Sequence, residues 1–221
     1  MIGIIKKYLK YRPTIHDIIC HIWIGFRTKI SGFWGSIVFY IKAKFYGVEC
    51  AGKVTCYGKI LIRKYPFTKI IIGKNVSIIS SSYRATASTI FAPTKLQTFT
   101  TTAEIEIGDN VSMNGTSIVS RSKKVTIGSG TIIAPNVVIM DSDFHALWPP
   151  ENRAYSPPID TDKEVTIGNN VWLGMQSIIM KGVTIGDNSI IGARTVVTTD
   201  IPSNVVAAGN PLRIIKHLGE K

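Results

Sequence analysis

Residues 167–197 read IGNNVWLGMQSIIMKGVTIGDNSIIGARTVV. Within them an aliphatic residue stands at Ile167, Leu173, Ile179, Ile185, Ile191 and Val197, a period of six without interruption. The residue after it is small at Gly168, Gly174, Gly186 and Gly192, and the fifth of each hexad is small or β-branched at Val171, Ser177, Val183, Ser189 and Thr195. A period of six fits neither a helix at 3.6 nor the alternation of a single strand at two, but it suits a solenoid in which each hexad is one short strand and one corner. Three hexads make one triangular coil of about 18 residues with the aliphatic residues stacked inside. Gly, Asn and Asp (Asn169, Asn170, Asp187, Asn188) are expected at corners that need a positive φ.

Working outward, the same register appears as IGSGTI and IAPNVV from Ile127, as IGDNVS from Ile107 and as IGKNVS from Ile72. The expected architecture is an all-β solenoid, a parallel β-helix over residues 48–205. An amino-terminal, helical segment covers 1–47 and a short carboxy-terminal segment covers 206–221. Handedness is not contained in the spacing, because left-handed crossovers are rare among parallel strands in general.

The rhythm stops after Ile139 and resumes at Ile167, which predicts an inserted loop over residues 140–166. Long irregular loops inside compact repeats are usually functional. This one carries DSDFH, with Asp141, Asp143 and His145, the only one of the four histidines inside the repeat region. An imidazole can take a proton from a hydroxyl or amine, and a carboxylate or backbone carbonyl beside it can set its tautomer. His145 is therefore the candidate general base, with Asp141 and Asp143 as candidate partners. Repeats by themselves are equally compatible with a non-catalytic β-helix scaffold; the histidine in an interrupting loop favours an enzyme. His16, His21 and His217 lie outside the coils, so no catalytic metal is expected. Cys20, Cys50 and Cys56 form no paired motif and lie outside the loop, which argues against a disulfide framework and against a cysteine nucleophile.

The excess of 26 Lys or Arg over 14 Asp or Glu gives a formal charge of +12, suited to a phosphate-bearing ligand or an anionic surface. Basic residues are spread along the chain without a nucleic-acid reader motif, so no nucleic-acid partner is expected. The start, MIGIIKKYLKYRP, does not read as a secretory signal, and the expected setting is cytoplasmic or peripheral at the inner face of a membrane.

The run VTIGNNVWLGMQSIIMKGVTIGDNSIIGARTVVTTDIPSNVVAAGNPLRII resembles the carboxy-terminal half of the hexapeptide-repeat acetyltransferases, among them the maltose and galactoside enzymes and the O-acetyltransferases of bacterial surface polysaccharides. The pairing of NNVWLG with AAGNP carries the resemblance, over residues 105 to 216. It implies a left-handed β-helix, a homotrimer, and acetyl-coenzyme A in the cleft between neighbouring β-helices. Residue by residue it implies His145 as base and Trp172 shaping the cofactor cleft. The backbone of Gly174 and Met175 would lie near the thioester and Ala193 would bond the pantetheine. Thr198 and Thr199 would border the cofactor, while Pro211 and Arg213 would meet adenine and phosphates. The family often has Lys where this chain has Thr199. For the acceptor, Asn114, Trp148 and Arg153 offer hydrogen bonds and an aromatic face suited to a sugar, and O-acetylation of a polysaccharide or lipid-linked sugar leads over N-acetylation of a nucleotide-linked amino sugar.

Residues 1–47 carry eight Lys or Arg and ten aromatic residues. Two readings stand: an amphipathic helix lying in a membrane interface, or a helix that caps the open end of the solenoid.

Overall fold

The structure, a computed structural model, describes residues 14–154 and 159–219. A long helix, α1 (Ile15–Tyr46), precedes twenty strands: β1 (Glu49–Cys50), β2 (Val54–Gly58), β3 (Leu61–Arg63), β4 (Lys69–Ile72), β5 (Val76–Ser80), β6 (Lys95–Thr98), β7 (Glu104–Ile107), β8 (Ser112–Asn114), β9 (Ser117–Ser120), β10 (Lys124–Ile127), β11 (Ile132–Ile133), β12 (Val138–Met140), β13 (Val165–Ile167), β14 (Trp172–Leu173), β15 (Ile178–Ile179), β16 (Thr184–Ile185), β17 (Ile190–Ile191), β18 (Val196–Val197), β19 (Val205–Ala208) and β20 (Arg213–His217). Parallel pairing mostly joins every third strand. The first face runs β1-β4-β7-β10-β13-β16, the second β2-β5-β8-β11-β14-β17-β19-β20, and the third β3-β6-β9-β12-β15-β18. That order is a three-sided parallel β-helix.

Ile167 pairs with Ile185, Leu173 with Ile191 and Ile179 with Val197, each 18 positions on, so three hexads close one coil. These six aliphatic residues are at most 1% exposed, and the small or β-branched fifth positions are buried beside them. Ile70, Ile72, Ile105, Ile107, Val125 and Ile127 continue the column through the lower coils.

The corner between the first and second faces divides its work differently from the expectation. Asn75, Asn110, Asn170, Asn188 and Asn204 hold φ between 54° and 60°, the left-handed region that asparagine enters more readily than most residues. One position earlier, the side chains of Asp109, Ser129, Asn169 and Asp187 each accept an amide from the coil beneath. Lys74 N donates to Asp109 Oδ1 at 2.7 Å, Asp109 N to Ser129 Oγ at 3.0 Å, Ser129 N to Asn169 Oδ1 at 2.9 Å and Asn169 N to Asp187 Oδ1 at 2.6 Å. Asp187 and Asn169 are thus rungs between coils and not positive-φ residues. The glycines of this corner are demanded by close approach: a Cβ on Gly108 would stand 2.7 Å from the backbone nitrogen of Ser129.

The repeat is broken twice, not once. Ile72 and Ile107 are partners 35 positions apart, and Ile127 and Ile167 are 40 apart. The second gap is the expected loop. The first holds residues 81–94, which lie over the corner between the second and third faces: Phe91 N donates to Asn136 Oδ1 at 2.8 Å and Asn136 Nδ2 to Thr89 O at 2.9 Å.

The amino-terminal segment forms α1, while residues 1–13 lie outside the described residues. Thr14 and Asp17 form a capping box at its start, and Gly47 at φ 62° ends it. Its inner face is narrow. Gly32, Gly35, Phe39 and Ala43 are buried, and the glycines let the helix backbone approach β2. At that first coil the helix also satisfies an open strand edge: Val54 N donates to Tyr40 OH at 2.8 Å and Cys56 N to Ser36 Oγ at 3.0 Å. Burial under the helix pushes the Cys56 thiol up to about 12, with Lys42 pulling the other way. At the far end the coil runs through β19, across the expected boundary at 205, and β20 folds back antiparallel on it.

Gly108→Ala is expected to cost about 2 kcal/mol, because coil spacing must open against the backbone of Ser129. A urea midpoint unchanged from wild type would show that the coils tolerate a wider spacing.

Candidate active site

The inserted loop is tied down at both of its ends beneath the corner between the third and first faces. Asp141 is fully buried and accepts the backbone N–H of Arg121 (2.6 Å), Ser122 (2.9 Å) and Lys123 (2.8 Å). Burial raises its carboxyl above the usual carboxylate range, the three amides draw it back, and Asp162 nearby adds to the rise. Asp162, at the returning end, accepts from Arg121 Nη1 at 3.0 Å and from Ser122 Oγ at 2.6 Å, and Lys163 N donates to Asp141 O at 3.0 Å. Asp143 pairs with Lys181, which also donates to Thr161 O at 2.9 Å.

Above this anchor Phe144 sits at φ 64°, an unfavourable region for an aromatic residue. Its ring packs on Phe99 at 5.7 Å and its N–H donates to Ser142 Oγ at 3.0 Å. The kink turns the next residue, His145, outward. His145 Nδ1 lies 2.8 Å from Arg153 O. A carbonyl can only accept, so Nδ1 carries the proton, and in the neutral imidazole the lone pair lies on Nε2. Of the two partners the sequence allowed, the structure supplies the carbonyl. Asp141 and Asp143, expected beside the imidazole, are committed to the amides of 121–123 and to Lys181, because the loop needs their charges for its own anchorage. Arg153 contributes its backbone to this arrangement from a short 3-10 helix (Pro150–Ala154), and Trp148 is exposed on the same loop.

Most of the residues tied by resemblance to the cofactor lie at another corner, between the second and third faces. Gly174 stacks under the peptide joining Gly192 and Ala193, where a Cβ on the glycine would stand 2.5 Å from Ala193 N. Arg194 N donates to Met175 O at 2.8 Å, which places Met175 one coil beneath Ala193. The Gly174 N–H is spent on Ile191 O at 2.8 Å, so of the two amides expected near a thioester only that of Met175 is without a hydrogen bond among the described residues. Pro135 holds the equivalent position one coil lower, its carbonyl accepting from Gln176 N at 2.9 Å. Asn210, next to Pro211, crowns the corner by accepting from Val196 N at 3.0 Å. Trp172 projects from the second face, half exposed, between Ile132 and Ile190 in the ladder, and Arg213 opens the exposed β20.

Thr198 and Thr199 follow β18 at the other end of the third face, the corner that carries the His145 loop. Asn114 lies at the same corner as Gly174 and Met175 but lower down and 6% exposed, with Nδ2 donating to Ile133 O at 3.0 Å and Oδ1 without a partner among the described residues. The 81–94 loop, which the hexad count passed over, covers that region: a Cβ on neighbouring Gly115 would meet Ile90 and Ala92. The signal for it was the 35-residue gap between Ile72 and Ile107.

Residues 164–199 match the family described as bacterial transferase hexapeptide (six repeats). Over that stretch the chain is similar to the hexapeptide-repeat transferases. Its coil is the left-handed parallel β-helix. Among curated proteins similar to this chain, the galactoside O-acetyltransferase of Escherichia coli (strain K12) is 44% identical over 121 residues, 54% of this chain and 57% of that protein. The putative lipopolysaccharide biosynthesis O-acetyl transferase WbbJ of the same organism is 37% identical over 118 residues, 51% of this chain and 60% of that protein. The chain thus spans little more than half the length of these relatives. The crystallographic structure of the polysialic acid O-acetyltransferase OatWY is similar over 79% of this chain and 84% of that one, at 25% identity and a TM-score of 0.54.

Asp141→Ala is expected to destabilise the fold by about 3 kcal/mol or more, since three buried N–H groups lose their acceptor. The check is thermal unfolding, where a Tm equal to wild type would show that Asp141 does not hold the loop.

Proposed function

We propose that the protein transfers an acetyl group from acetyl-coenzyme A to a hydroxyl of a sugar, in a bacterial surface polysaccharide or its precursor, with His145 as general base. The observation that carries this reading is the His145 Nδ1 contact to Arg153 O, which leaves Nε2 of this exposed residue as the ring nitrogen able to accept a proton. Support for the donor and the acceptor class comes from the sugar O-acetyltransferases to which the chain is similar.

In the reaction the acceptor O–H gives its proton to Nε2 as its oxygen adds to the thioester carbon. The tetrahedral intermediate places its negative charge near the Met175 N–H, then expels the coenzyme A thiolate, which takes a proton from the imidazolium. No acyl-enzyme forms. Arg153 O stabilises the imidazolium by accepting from Nδ1, the role a carboxylate has in other sites. Trp148 and the side chain of Arg153, both exposed on the same loop, bear on the acceptor.

Within one chain the His145 loop and the Met175–Ala193 corner stand at opposite ends of the third face. The reading therefore places the site between neighbouring copies of a homotrimer, one copy giving the base and the next giving the cofactor corner. Such a cleft is incomplete in a monomer.

Two substitutions test this with thiol release from acetyl-coenzyme A, across free, nucleotide-linked and lipid-linked sugars. His145→Ala is expected to lower kcat about a hundredfold or more on the true acceptor; a rate equal to wild type would remove His145 as base. Met175→Pro deletes the one amide N–H at a turn position where Pro135 shows that proline fits. Folding should be kept while kcat falls by about 10² to 10³, and an unchanged kcat would remove that amide from the mechanism.

A further inference from the structure

The sealed end of the solenoid presents a surface that acetyl transfer does not use. Along α1, Ile15, Ile19, Ile22, Phe26, Phe33 and Ile41 recur at intervals that keep them on one helical face, and all are exposed. Trp23 and Trp34 flank them, 56% and 61% exposed. The opposite side of the helix, through Gly32, Gly35, Phe39 and Ala43, is the side packed on β2. The apolar stripe consequently faces away from the β-helix, and at 1.5 Å per residue the 32-residue helix that carries it is about 48 Å long. An exposed apolar surface of that size on a soluble face marks an interaction site.

Charge selects the partner. Arg27, Lys29 and Lys44 are exposed on the same helix, whose acid Asp17 is taken up in its own cap. Beside the helix carboxy-terminal end, Lys42, Tyr46, Leu61, Arg63 and Lys95 line a cavity of about 440 Å³. An anionic lipid surface meets both the stripe and its basic border, and tryptophan suits the boundary between acyl chains and headgroups. No described helix is long and apolar enough to cross a membrane, so the contact is in the plane.

We propose that α1 lies in an anionic lipid interface by its apolar stripe, with Lys42, Arg63 and Lys95 receiving a headgroup phosphate at its end. The helix thereby does two jobs: its glycine face caps the first coil and its isoleucine and tryptophan face seats the protein on lipid. This inference is independent of the acetyl-transfer reading.

The test is co-sedimentation of the full-length protein with vesicles of phosphatidylcholine, with and without phosphatidylglycerol, alongside tryptophan emission. Wild type is expected to pellet with the phosphatidylglycerol vesicles, to shift its emission to the blue, and to be released by salt. Ile22→Glu/Phe33→Glu changes two residues that are 64% and 62% exposed, so its circular dichroism should match wild type while vesicle binding falls about tenfold or more. Arg63→Glu/Lys95→Glu should weaken binding to the phosphatidylglycerol vesicles and leave the apolar stripe intact. Wild type remaining in the supernatant with both vesicles overturns the proposal. So does equal pelleting of Ile22→Glu/Phe33→Glu, or a change in that variant's assembly mass without any wild-type lipid binding, which would assign the stripe to a second copy.

Discussion

Each coil of this protein must rest on the next at strand spacing, and the rest of the structure follows from that constraint. The ladder hydrogen bonds fix the distance, and the distance then dictates the residues at the corners. Gly108 and Gly174 have no room for a Cβ. Asp109, Ser129, Asn169 and Asp187 present short acceptors to the amide of the coil beneath. The aliphatic column inside supplies the apolar burial, but the corners decide which sequence can stack, and they hold the chain in one register over six coils of the first face.

A scaffold this regular makes its exceptions positional. The loop after β12 can leave the coil because Asp141 and Asp162 replace the lost ladder with bonds to the backbone and side chains of residues 121–123. That exchange consumes the two carboxylates nearest the histidine in sequence or pairs them elsewhere, and a backbone carbonyl is left to orient His145. The same regularity puts Met175 directly beneath Ala193, so a bound cofactor would run along a column of equivalent turns. Because the loop and the column occupy different corners, the chemistry read from the two sets of residues calls for more than one copy of the chain.

The coils were legible in the sequence because a single six-residue period governs both burial and turn chemistry, and Ile167 to Val197 shows it without a gap. The helix was legible in outline from its aromatic and basic composition, yet its glycine face was not, since Gly32 and Gly35 acquire meaning only when β2 lies against them. Residues 81–94 were missed because a polar, serine-rich stretch looks like another corner until the partner strands are known. The roles of Asp141 and Asp143 were misplaced for a related reason: proximity along the chain does not say which way a carboxylate points, and a buried anchor outcompeted the imidazole. That the candidate base and the candidate cofactor residues stand at two corners is a property of the topology, visible only once the third face is seen to separate β12's loop from the turn after β14.

The shared site is the most direct consequence of this account. Co-expression of His145→Ala with Ala193→Trp, which fills the cofactor corner, pairs a chain lacking the base with one lacking the cleft. Each is predicted to be inactive alone, and mixed assemblies are predicted to recover acetyl transfer wherever an intact loop meets an intact corner across a boundary between copies. Mixed assemblies as inactive as either parent, with assembly itself confirmed, would contradict the account and place the whole site within one chain.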